Sequence, residues 1–522
     1  MKRPALILIL IILPIFLISA DMNFRGIYSD YLFYSELSGE QEGTSLMFHS
    51  FSTDAGRTDF SWGDRSFTSP LVETKLGTLR IMDPETFFSY NSYRAYGHND
   101  GALWQGKGFN NVTAFGMDWM NDWFSIRLYP EVWWAQNADY DIVSTSESSG
   151  WGDWWDGRGY DRLQRQGDDF LYDFNWGQSD LRLYWEDYLT FGFSNEEVVI
   201  GSGRENNILL SDNAGGFPHF DMGTYRPQEI WKLGTFETRF FWGFLEESDY
   251  YDDNPDNDTA WFSGMTIGYS PSFVPGLTLG ATHQYYKPLQ YWNALDLVAA
   301  VPVFSSNKPG ADDDEDGMIS LDFNWIFPKV GFTVYGEWAN NDYSHPITSP
   351  EHTSAQVLGL SQILKTWNPG QKLTLSFEHA NLAQTRTTKV RSAGPWYRHG
   401  FAGWTQGYSH DGQIPGAWIG PGSNSQWINF SYYHNKGMVG LEYTRICYDS
   451  DYFYNVIIND PDYNKSTFGQ FIDNDISIDA LYFLGNWNLY GKATLLYTNN
   501  ENWAWQENLF HFHFETGLSY SF

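Results

Sequence analysis

Three stretches of the chain gather polar and aromatic side chains at loop-like spacing. The first, Tyr90 to Gly108, reads Y-N-S-Y-R-A-Y-G-H-N-D-G-A-L-W-Q-G-K-G and holds Asn99, Asp100 and Trp104. The second, Gly201 to Pro227, reads G-S-G-R-E-N-N-I-L-L-S-D-N-A-G-G-F-P-H-F-D-M-G-T-Y-R-P and holds Arg204, Asn206, Asn207, Asp212 and Asn213. The third, Ala393 to Ser425, contains P-W-Y-R-H-G-F, G-Y-S-H-D-G and I-G-P-G-S and holds Trp396, Tyr397, Arg398 and His399. Amide, carboxylate, guanidinium and imidazole groups can hydrogen-bond sugar hydroxyls. Indole and phenol rings can cover the apolar face of a pyranose. Gly and Asn are also ordinary turn residues, so the same loops can equally fold inward and plug a lumen. Arg204 can pair with a uronate or, internally, with Asp212.

Other chemistry is poorly supported. Trp151, Trp154, Trp155 and Tyr160 form a second aromatic patch in loop 137–178, suited to stacking on a glycan or to plain packing. The run Asp312 to Gly317 opens like a calcium loop, but the twelfth position, which must carry a bidentate acid, is Phe323. His511 and His513 read as polar lumen-lining residues at the periplasmic end of the barrel rather than metal ligands. The chain has no G-x-S-x-G, H-E-x-x-H or C-x-x-C. The expectation is a non-enzymatic protein with no metal and no cofactor.

The elements that must position these loops are strands. From Leu509 to Phe522, Phe510, Phe512, Phe514, Leu518, Tyr520 and Phe522 alternate with His511, His513, Glu515, Ser519 and Ser521. Such a period of two over a strand of about 9–11 residues or more suits a wall with lipid on one side and a polar lumen on the other. A terminal aromatic strand closes such a wall. Short turns near 120–122, 188–190, 234–235, 270–276, 327–331, 367–371, 435–437 and 485–488 alternate with long polar segments, among them 82–108, 137–178, 201–226, 288–316 and 385–424. The expected fold is all-β: a transmembrane outer-membrane β-barrel of about 18 antiparallel strands, its lumen partly plugged by inward loops and the N-terminal segment. Residues 1–20 read as a signal peptide: a basic head, an apolar stretch, and Ser19-Ala20 before Asp21. Residues 21–70 show no clear helical period and read as a periplasmic or lumenal segment; residues 71–522 read as the barrel.

Composition narrows the class further. The net charge is −33, which disfavours nucleic acid as a partner. Aromatic content of 19% argues against the disorder that acidity alone suggests, and suits the girdles of a barrel. Cys447, the single cysteine, excludes an internal disulfide framework.

The segment around Y-G-H-N-D-G-A-L-W-Q-G-K-G resembles a signature of capsule assembly proteins of the Wzi family. G-R-E-N-N-I-L-L-S-D-N-A-G-G-F-P is similar to that family's second block, although Gly215 stands where Pro often follows the Ala. W-Y-R-H-G…G-Y-S-H-D-G…I-G-P-G-S is similar to its C-terminal block. The resemblance implies an outer-membrane lectin that binds capsular polysaccharide, lies among lipid and lipopolysaccharide, and is a monomeric barrel. It also implies a periplasmic helical bundle, for which residues 21–70 show no signal. The rival from a different class is a porin with an acidic lumen.

Overall fold

The computed structural model describes residues 22–40, 43, 45–51, 60–63, 65–67, 71–145, 150–252, 254–301, 315–341, 349–368, 370–385, 394–398, 406–460 and 463–521. Its main element is one antiparallel sheet of 24 strand segments. Four pairs of segments are halves of one bent stave: 78–81 with 85–91, 108–114 with 117–120, 124–128 with 131–135, and 171–175 with 180–185. Leu71–Glu73 and Gln228–Ile230 are short additions, which leaves eighteen staves among the described residues. The last strand, Leu509–Tyr520, pairs with Glu85–Asn91, so the ladder returns to its first stave.

The alternation explains why these segments form a wall rather than the half of a soluble sandwich. On Leu509–Tyr520 the aromatic face points outward, with Phe510 69% exposed, while His511, His513 and Glu515 are buried toward the lumen. Leu321, Leu358, Ile476 and Leu495 stand bare on other strands in the same way. Apolar outside and polar inside inverts the order of a soluble protein and matches the lipid-facing band of a barrel. The lumenal polar groups pair with one another: Arg182 Nη1 lies 2.8 Å from Asp221 and Arg94 Nη2 lies 2.6 Å from Asp473.

Every expected short turn joins two strands, and Leu509–Tyr520 ends at the short-turn mouth. Three expectations about element boundaries are corrected. The loop readings 82–108, 137–178 and 201–226 each overrun a strand, namely Glu85–Asn91, Leu171–Asn175 and His219–Thr224. Those strands carry Asn, Asp, Ser and Gly on their lumenal side, which weakens the β signal. His511 and His513 lie near the long-loop end rather than the periplasmic end, because Leu509–Tyr520 descends from a long loop. His513 Nδ1 meets Asn91 Oδ1 at 2.6 Å, and its Nε2 meets Glu515 at 2.8 Å.

Residues 21–70 also hold a helix, Met22–Leu37, where no helical period is legible. Tyr31, Leu32, Tyr34, Ser35 and Leu37 are all buried. Surrounded on several sides, the helix has no need of a single apolar stripe. It lies within the short-turn mouth. Tyr31 stacks on Trp62 at 4.1 Å between ring centroids, and Trp62 Nε1 donates to the His434 carbonyl at 2.9 Å. Gly370 meets this segment so closely that a Cβ there would fall 2.5 Å from the Gly63 nitrogen.

Candidate functional site

The three stretches singled out above fold inward at the long-loop mouth and knit together mainly through backbone. The Asn99 backbone N–H donates to Asn213 Oδ1 at 3.3 Å, and Asn213 Nδ2 donates to the Ile414 carbonyl at 3.0 Å. Gly101 N–H donates to the Asp212 carbonyl at 2.8 Å. Tyr397 Oη donates to the Ile208 carbonyl at 2.7 Å, and Tyr408 Oη to that of Leu209 at 2.8 Å. Around these bonds Ile208, Leu209, Leu210, Trp396, Tyr397, Tyr408 and Ile414 form an apolar core inside the lumen, joined by Trp154 and Tyr160 of the 137–178 loop.

The wall holds this plug with carboxylates. Glu378 accepts the backbone N–H groups of Arg204 at 2.7 Å and Asn206 at 2.9 Å, and Glu337 accepts that of Ile208 at 2.9 Å. Each such bond satisfies a backbone donor that would otherwise be buried without a partner. Two buried carboxylates thus orient the second stretch without any repeating secondary structure.

The expected residues separate by environment. Trp396 and Tyr397 are fully buried, and Asn206 and Asn207 nearly so. Arg398 forms an ion pair with Asp153 at 2.7 Å. Arg204 does not meet Asp212: it pairs with Asp30 of the N-terminal helix and donates to Tyr34 Oη at 3.1 Å. Asp30 reaches it because the helix stands inside the lumen, which the sequence does not reveal. Trp154 and Tyr160 are packed into the plug core, and Trp155 Nε1 donates to Asp449 at 2.8 Å. His399 and residues 311–314 lie outside the described residues.

Asp100 is held well toward its protonated form, chiefly by burial and then by Glu515. His98 is pushed down to about 4, chiefly by burial and then by Lys492, and stacks on Trp418 at 4.1 Å. It is therefore neutral at pH 7.

One cleft meets all three stretches. Ala102 and Trp104 come from the first, Gly215 from the second, and Asp411 and Gln413 from the third. Gln166 joins from the 137–178 loop, and Trp133, Asp173 and Asn175 from the wall. Trp133 and Asp173 face each other across paired strands. The cavity between them is small, about 20 Å³, and opens into a wider recess of about 300 Å³ that includes open solvent. Trp104 is 8% exposed, and its indole N–H has no acceptor among the described residues. Two indoles, two carboxylates and three amides around one opening can accept and donate hydrogen bonds to vicinal hydroxyls presented at its mouth. Of these residues sequence reasoning identified only Trp104. Any lumen-facing position on a strand has the same period, so Trp133, Asp173 and Asn175 carried no distinguishing signal.

The sequence profile of the family described as Capsule assembly protein Wzi matches residues 105–493. Among solved structures, the Escherichia coli outer-membrane protein Wzi, described as a carbohydrate-binding β-barrel involved in group 1 capsule assembly, superposes with a TM-score of 0.57 at 13% identity, covering 84% of each chain. OccAB3 of Acinetobacter baumannii aligns with a TM-score of 0.42 at 10% identity, over 85% of this chain and 98% of that one. No curated protein matches the chain.

Proposed function

The chain belongs to the capsule assembly protein Wzi family, and from that premise we propose that it holds surface polysaccharide through the Trp104–Trp133 cleft at its long-loop mouth. It is an outer-membrane β-barrel, and its role in capsule assembly is that of a polysaccharide-binding protein. The proposed role is non-catalytic. In this reading residues 1–20 are a cleaved leader, 21–70 a lumenal segment and 71–522 the barrel. The long-loop mouth faces the medium, the short-turn mouth the periplasm, and the barrel is monomeric among lipid and lipopolysaccharide.

The observation that carries the reading is the convergence of three family-like stretches on one aromatic, amide-rich cleft that opens to solvent. Asn99, Asp212, Asn213, Asn206, Asn207, Trp396 and Tyr397 frame it by fixing the plug, and Trp104 lines it. Asp100 and Arg398 complete the proposed binding region; Arg204 is committed to Asp30 of the inner helix, and His399 lies outside the described residues. Contacts repeated along a polymer raise avidity without a tight single site. The porin alternative is disfavoured because side chains fill the lumen at both mouths.

The test is binding of purified full-length protein to capsular and other surface polysaccharides, together with cell-bound capsule in a deletion strain. The expected results are polymer binding that Asp173→Ala weakens, and capsule shed into the medium at constant total amount. No binding to any polymer, with unchanged cell-bound capsule, overturns the proposal.

A further inference from the structure

The outward alternation fails at one place on the wall. On Thr259–Pro271 and Leu277–Pro288 the even positions face the lumen: Phe262 packs on Tyr408 of the plug, and Gln284 Nε2 donates to the Leu209 carbonyl at 3.1 Å. The odd positions belong on the lipid side, where Leu279 stands bare. Yet Trp261, Ser263 and Tyr285 are buried, and Lys287 is only 2% exposed.

Tyr285 Oη donates to Glu315, and Lys287 and Trp261 are covered by the segment after Pro288. It forms two short 3-10 turns, Leu289–Tyr291 and Ala294–Val298, lying back along the outside of the wall. Lys287 Nζ meets Asp296 Oδ2 at 2.7 Å with both groups sealed. Trp242 Nε1 donates to the Leu297 carbonyl at 2.9 Å, His283 Nδ1 lies 2.9 Å from the Ala300 carbonyl, and Trp292 packs edge-on against Trp261 at 5.8 Å. His283 is five residues below Pro288, so the segment overlies roughly 15 Å of strand. Its free side displays Leu289, Tyr291, Trp292, Leu295, Leu297 and Val298. Its one charged residue, Asp296, faces the wall.

We propose that residues 289–300 are a lipid-contacting apron whose partner is the hydrocarbon and interfacial layer of the surrounding leaflet. Three observations carry this. The apolar surface is continuous with the lipid-facing band, at Leu279 and Leu321 on the adjoining strands. The apron removes a lysine from a face where an uncovered charge is costly. In a chain with 64 acidic residues, an exposed face with no charged side chain and with Tyr291 and Trp292 next to the strand end fits the membrane interface, where aromatic side chains concentrate. The inward-folding stretches bury Trp104, Trp396 and Tyr397 in the lumen; this segment turns Tyr291 and Trp292 outward.

Leu297→Cys in the full chain, spin-labelled and reconstituted in nanodiscs of one barrel each, tests the proposal. Cys447 is buried, and the labelled native chain is the control. The label at 297 should be open to dissolved oxygen and shielded from a water-soluble nickel chelate, as Leu279→Cys on the bare wall should be. Tyr250→Cys, in an acidic loop, should show the reverse. Nickel access at 297 equal to that at 250 would overturn the proposal. So would shielding from both reagents in these single-barrel discs, which assigns the surface to cover by protein. If Leu297→Cys fails to assemble, quenching by lipids brominated on the acyl chain, compared between the native chain and Trp292→Phe, answers the same question. A contribution from Trp292 supports the apron, and its absence overturns it.

Discussion

The two mouths of the lumen are closed by different means. At the short-turn mouth a helix, Met22–Leu37, is attached mainly by side chains: Arg204 to Asp30, Lys372 to Glu40 at 2.7 Å, Tyr34 Oη to Ser376 Oγ at 2.6 Å, and the Tyr31–Trp62 stack. At the long-loop mouth the plug is attached by backbone. Leu382 N–H donates to the Ser423 carbonyl at 2.8 Å, Ser211 N–H to that of Pro415 at 2.6 Å, and the wall carboxylates Glu337 and Glu378 take further backbone donors. Most of the plug's bonds survive any single substitution, the two wall carboxylates being the exception, whereas the helix is attached by side chains throughout. The outer plug is thus part of the barrel's own stability, and the inner one is a separable insert.

The strongest way to break this contrast is Glu378→Ala. It leaves the Arg204 and Asn206 N–H groups buried without their acceptor, and should cost about 3–5 kcal/mol. The measurement is thermal unfolding in detergent, and a change below about 1 kcal/mol would falsify the carboxylate-anchored plug. Asp30→Ala probes the insert: it leaves the buried Arg204 guanidinium with only the hydroxyls of Tyr34, Ser361 and Ser376, and should cost about 2 kcal/mol and leave polymer binding intact. A loss as large as that of Glu378→Ala would erase the distinction between the mouths. Asp173→Ala addresses the cleft instead. Asp173 is exposed and outside the plug core, so the melt should stay put while affinity for the polymer falls about tenfold, or 1.4 kcal/mol. Equal affinities for the two proteins would move the binding site elsewhere. The smallest effect concerns pH. His98 is held neutral with its pKa down to about 4, so its stabilising contribution is complete above the ordinary histidine range and fades as pH falls through about 4. Fluorescence of Trp418, taken as the difference between native chain and Trp418→Phe, should stay constant from pH 7 to 5 and change below that. A transition near pH 6.5 would mean that His98 is solvated.

Much of the wall was legible in the sequence, because alternation is a one-dimensional signal: Phe510, Phe512 and Phe514 announce an outer face without reference to any neighbour. The helix was not, because burial on several sides removes the stripe that periodicity detects. Nor was the apron, since L-Q-Y-W-N-A-L-D-L-V-A-A falls inside a segment, 288–316, that reads as one polar loop. The three loop stretches announced a common site by their composition. Their detailed roles were hidden, because whether an Asn meets a ligand or a neighbouring carbonyl depends on contacts between segments more than a hundred residues apart, as between Asn99 and Asn213.

The pairing of Leu509–Tyr520 with Glu85–Asn91 also constrains the order of events during biogenesis. The helix at Met22–Leu37 precedes every stave in the chain, and it ends up enclosed by a ladder that Leu509–Tyr520 closes. Either the staves assemble around a helix already in place, or the helix enters afterwards through the short-turn mouth. Intermediates trapped before the C-terminal strand arrives would tell these routes apart.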